Sequence, residues 1–128
     1  MKNGYIETFM DSASGIDDPE EVVYKDGLLY IGNEGKGEVL IVDTAGKIIS
    51  RFHVPNAKGI TFDRGGNIYV SSDGERKIYM VNKKGEKTVI ADFYDGLRHP
   101  EAIIADKAGN LIVADKAGCV FKILTKRR

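Results

Sequence analysis

Hydrophobic residues in this chain come in short bursts of four or five, rich in Val, Ile and Tyr. They are separated by "KDG", "DTAG", "DRGGN", "SDGER", "NKKG" and "DKAGN". Such separators are turn chemistry: Gly accepts positive φ, and Asp and Asn side chains cap nearby backbone amides. No burst carries helical spacing for ten residues without a Gly-containing break, so the pattern predicts strands in a meander rather than helices.

The bursts repeat. Ile31, Val70 and Val113 hold equivalent places in "LYIGN", "IYVSS" and "LIVAD", separated by 39 and then 43 residues. A period near forty, built from strands, predicts the four-stranded blades of a β-propeller. Strand a is expected at 21–24, 59–62 and 102–105, and strand b at 28–32, 67–71 and 110–114. Strand c is expected at 38–42, 77–81 and 119–123, and strand d at 47–52 and 86–91. The blades then run 16–52, 53–91 and 92–128, the third without a d strand. An orphan "GYIETF", Gly4–Phe9, resembles the d-strand stretch "GKIISRF", Gly46–Phe52. One d strand, two full sets and one abc set make twelve strands, or three blades.

Three blades cannot close a ring, since propellers of this kind have four to eight. The expected fold is therefore all-β, three four-stranded blades per chain, closing as a six-bladed homodimer. In it the N-terminal strand of one copy completes the third blade of the other and covers both open edges. The alternative is that these blades are part of a longer propeller.

Composition narrows the partners. The chain has 128 residues, 42% hydrophobic and 30% charged, with zero formal net charge. Balanced charge offers no long-range field for nucleic acid or an anionic membrane surface. No apolar run approaches membrane-spanning length and the first ten residues lack a signal-peptide core. Cys119 is the single cysteine, which excludes an intrachain disulfide and suits a cytoplasmic setting. Among Val120, Phe121 and Ile123 it reads as a buried structural thiol. Tyr24, Tyr30, Tyr69 and Tyr79 read as blade packing.

In an antiparallel meander the start of strand a and the end of strand b lie at one face. Glu20, Lys58 and Glu101 should thus ring one mouth of the channel, with Asn33, Ser72 and Asp115 nearby at the ends of the b strands. A converging polar set in a concavity is a ligand-site candidate. Two simpler readings stand beside it. Glu20 and Glu101 can pair with Lys58 in a solvated ring of salt bridges, and Asn33, Ser72 and Asp115 can cap turn amides. His53 and His99 fall on the rim.

The blade wording, "DPEEVVYKDGLLYIGNEGKGEVLIVDTAGK" and "KGITFDRGGNIYVSSDGERKIYMVNKKGE", resembles six-bladed propellers of the NHL-repeat and senescence-marker/gluconolactonase-like group. That resemblance implies divalent-metal ligands at the starts of innermost strands, which are Glu20, Lys58 and Glu101 here. Lys58 departs from the pattern, leaving Glu20 and Glu101 as the implied metal pair. Calcium or magnesium would suit such oxygen ligands. The implied activity is small-molecule binding at the channel with metal-assisted lactone hydrolysis, in which Glu101 or His99 activates water. The alternative is a non-catalytic NHL-type binding or assembly module.

Overall fold

The computed structural model describes residues 4–125, which form eleven strands and three short 3-10 turns. The strands are β1 (Pro19–Lys25), β2 (Leu28–Asn33), β3 (Glu38–Asp43), β4 (Ile48–His53), β5 (Ala57–Phe62), β6 (Ile68–Ser72), β7 (Lys77–Val81), β8 (Lys87–Ala91), β9 (Pro100–Ala105), β10 (Leu111–Asp115) and β11 (Cys119–Ile123). They make three antiparallel sheets ordered β1-β2-β3-β4, β5-β6-β7-β8 and β9-β10-β11. These are propeller blades, and every expected a, b, c and d segment of the three sets is a strand.

The turns explain why the strands stop where they do. Asp43 Oδ1 accepts from the amides of Ala45 and Lys47, both at 2.9 Å. Asn82 repeats this toward Lys84 and Glu86, and Asp106 toward Ala108 and Asn110. A side-chain oxygen that satisfies two turn amides closes a hairpin at a defined register.

The core lies between sheets. Val39, Val54, Ala57, Ile60, Val70 and Tyr79 join the first sheet to the second. Tyr69, Ile78, Leu97, Ile103, Leu111 and Val113 join the second to the third. Each fully buried aliphatic side chain contributes roughly 1.5–3 kcal/mol relative to exposure. Ile31, Leu40 and Val42 form a third cluster on the outer face of the first sheet, where Met10 and Ile16 pack on them.

Two expectations fail where blades lack neighbours. Cys119 is exposed rather than buried, because β11 is the outermost strand of a three-stranded sheet with no strand beyond it among the described residues. Tyr24 is 65% exposed, since no sheet packs on that face of β1 among the described residues, whereas Tyr69 and Tyr79 are buried as expected. Gly4–Phe9 joins no sheet within the chain, and Tyr5 and Ile6 are exposed.

Candidate functional site at the channel mouth

The inner strands β1, β5 and β9 stand side by side, with β5 facing both of the others. Their approach is close: a Cβ on Gly59 would collide with the Glu101 carbonyl oxygen and press on Ile103. Ser71 locks the same junction, accepting from the Gly59 amide at 2.8 Å and donating to the Glu101 carbonyl at 2.5 Å. This carries Glu20, Lys58 and Glu101 into one cleft of about 180 Å³, which Glu21, Gly59 and Ala102 complete.

The three residues do not form one symmetrical ring. Lys58 Nζ lies 3.3 Å from Glu20 Oε1 and 3.0 Å from Glu34 Oε2. Burial alone would lower the lysine's pKa, but the hydrogen bonds to Glu34 and Glu20 outweigh it and raise it. The salt-bridge reading thus holds for Glu20 and fails for Glu101. Glu101 turns instead to the next turn acid, Asp73, with which it shares a hydrogen bond.

Asp73 also lies 2.9 Å from His99 Nδ1. Burial disfavours the Asp73 carboxylate, yet the hydrogen bonds from Glu101 and His99 hold it below the usual range. Glu101 moves the other way, pushed up to about 7 by burial and by the hydrogen bond and charge of Asp73. Two adjacent carboxyl groups cannot both ionise cheaply, so Glu101 holds the proton that Asp73 gives up. Asp73 thus occupies His99 Nδ1 and leaves Nε2 to other partners.

Asn33, Ser72 and Asp115 do not point into this cleft as free ligands. Asn33 accepts from the Asp17 amide and donates to the Gly15 carbonyl and to Glu38. Ser72 donates to the Pro55 carbonyl. Asp115 accepts from the amides of Arg98, His99 and Ala117. All three are buried. Each ties the incoming connection of its own blade to the end of its b strand, and so fixes where Glu20, Lys58 and Glu101 begin.

Sequence reasoning missed Glu34 and Asp73. Both follow directly after those tying residues (Asn33-Glu34, Ser72-Asp73), and Lys116 holds the same place after Asp115. That adjacency was the available signal.

The implied metal pair does not fit these residues. Asp18, Glu20 and Glu34 bring carboxylate oxygens within 4.8 Å of one another, but the Lys58 ammonium already bridges two of them. Glu101 belongs to the Asp73 pair instead.

No known protein family matches the chain, and no curated protein matches it in sequence. Solved structures do match in shape. A streptogramin B lyase aligns at 20% identity over 96% of this chain and 46% of its own, with a TM-score of 0.70. A hydrazine synthase from Kuenenia stuttgartiensis aligns at 18% identity over 98% of this chain and 36% of its own, with a TM-score of 0.73. A nidogen/laminin complex aligns at 23% identity over 84% of this chain and 43% of that chain, with a TM-score of 0.64. The chain spans less than half the length of these structures, and the likeness establishes the propeller fold.

Proposed function

We propose that the channel mouth binds a small, neutral, hydroxyl-bearing molecule of the lactone or polyol class. The supporting observation is that β1, β5 and β9 deliver Glu20, Lys58 and Glu101 to one cleft where Glu101 retains a proton near neutral pH. Lys58, with a third N–H beyond those to Glu20 and Glu34, is a donor for a carbonyl or ring oxygen, while Glu20 and Asp73 accept from hydroxyls. A dense set of donors and acceptors on a small surface favours polar, uncharged ligands over aromatic ones.

The same groups are suited to opening a lactone without a metal. His99 Nε2 takes a proton from water as its oxygen bonds to the lactone carbonyl carbon. The ring C–O bond then breaks and Glu101 protonates the departing alkoxide, leaving a hydroxy acid. Glu101 afterwards recovers a proton from His99 or solvent.

Titration calorimetry with gluconolactone and with the corresponding neutral polyol tests binding, and a pH-stat tests ring opening. Binding heat in the parent that is lost in Glu101→Ala and Lys58→Ala supports the reading. Absence of heat at millimolar probe overturns it. The non-catalytic assembly reading would then be preferred, being favoured by the exposed apolar sheet faces. A latent metal site has its own test. Lys58→Asn removes the ammonium between Glu20 and Glu34, and under the family resemblance it should bind calcium more tightly than the parent. Equal affinities would exclude a latent site.

A further inference from the structure

The connection entering the first blade is a copy of the connection entering the third. Residues 5–19 align without gaps on residues 86–100: "YIETFMDSASGIDDP" against "EKTVIADFYDGLRHP". Both contain a 3-10 turn, Ser12–Ser14 and Phe93–Asp95. Each turn is capped at its start by an aspartate, Asp11 or Asp92, through the same reciprocal capping box. Both end on a left-handed glycine, Gly15 at φ 100° and Gly96 at φ 117°.

The packing repeats as well. Ala91 and Leu97 pack with Leu111, Val113, Phe121 and Ile123 of the third sheet. Met10 and Ile16 pack with their counterparts Leu29, Ile31, Leu40 and Val42 of the first. Met10 and Ile16 therefore lie against the first sheet as Ala91 and Leu97 lie against the third.

Among the described residues, one sheet face at β1 and one at β11 lack a neighbour. Val22 is 60% exposed, whereas its counterparts Ile60 and Ile103 are 3% and 4% exposed beneath the preceding sheet. Val120 is 71% exposed, whereas its counterparts Val39 and Ile78 are fully buried against the following sheet. Ile104, on the same outer face of the third sheet, is 61% exposed. Among the described residues, no strand pairs with the outer edge of β11.

We propose that a second copy of this chain covers both faces, each copy giving residues 6–10 to the free edge of the other's β11. The β7–β8 register fixes the pairing. Val81 faces Lys87, Met80 faces Thr88, Tyr79 faces Val89 and Ile78 faces Ala91. By equivalence Ile123 faces Ile6, Lys122 faces Glu7, Phe121 faces Thr8 and Val120 faces Met10. The one charged pair is complementary.

The mouth is completed by the same contact. The turn acid of each blade reaches the inner strand of the next: Glu34 to Lys58, and Asp73 to His99 and Glu101. Lys116 is the equivalent residue of the third blade, and the positions it would reach are Asp18 and Glu20 of the second copy. A cation thus meets two carboxylates, and the site of one copy is finished by a residue of the other.

The test is a disulfide across the exchanged strand. Glu7→Cys and Lys122→Cys are combined in the 128-residue chain with Cys119→Ser, and the protein is oxidised under native conditions. The expected product is a covalent dimer that collapses to the 14.1 kDa chain on reduction, absent from either single cysteine variant. Light scattering of the parent should give twice the chain mass. Lys116→Glu, folded by circular dichroism, should raise the dimer dissociation constant about tenfold or more. A monomeric parent at tens of micromolar, an intrachain disulfide, or a ladder of higher oligomers would each overturn the proposal.

Discussion

Glu101 and Asp73 show how one proton organises a site. The pair titrates as a unit, with Asp73 ionised first and Glu101 still protonated up to about pH 7. A carboxyl group whose folded pKa is raised binds more protons folded than unfolded, so its contribution to stability declines as pH rises from its ordinary range through about 7. Glu101→Gln mimics the protonated form and should match the parent below about pH 4, where the carboxyl is protonated folded and unfolded alike. At pH 8 the variant should be more stable by about 1 kcal/mol after solvent screening, or roughly 3–5 °C in Tm. Thermal unfolding across that range is the measurement, and an equal Tm at both pH values would contradict the shared proton. Asp115 behaves oppositely. Although burial opposes its ionisation, three backbone amides hold its pKa low. Its contribution is present above the ordinary aspartate range and lost as pH falls through the folded value. Asp115→Ala should cost about 1–3 kcal/mol at neutral pH, the penalty of orphaned buried donors, read by urea denaturation.

Among the elements, the junction of β5 with β9 is the most demanding. Gly59 is there because a side chain would strike the neighbouring backbone, which has no rotamer to yield. Gly59→Ala should therefore lower stability by about 1–3 kcal/mol through overpacking and displace Glu101 with it. Gly65→Ala is the control, since a Cβ there meets only ordinary contacts. Urea unfolding of both variants separates a local steric effect from a general cost of replacing glycine. The strands β1, β5 and β9 were legible because turn residues bracket each apolar burst. The Gly59 collision was not, because it depends on two strands 43 residues apart lying side by side.

For the whole molecule, the exposed β11 edge and the exposed faces carrying Val22 and Val120 are surfaces that this chain leaves open. An unpaired strand edge invites promiscuous pairing. Removing residues 1–9 takes away the segment that the proposed exchange lays on that edge. The shortened chain should aggregate at concentrations where the parent stays a discrete species, as followed by light scattering over time. If both remain equally monodisperse, the edge is not covered by that segment.

Local chemistry determined the strands, their turns and the forty-residue period, because alternation and Asx turns act over a few residues. It also placed Glu20, Lys58 and Glu101 at one mouth, since equivalent positions in a repeat share a face. Tertiary structure decided the rest. Whether Lys58 sits between Glu20 and Glu101, or between Glu20 and Glu34, depends on how one blade's turn reaches the next blade's inner strand. The exposure of Cys119 and Tyr24 depends on which sheets have neighbours. A strand pattern reports which side chains turn inward from their own sheet. Only the stacking of sheets shows whether anything is there to bury them.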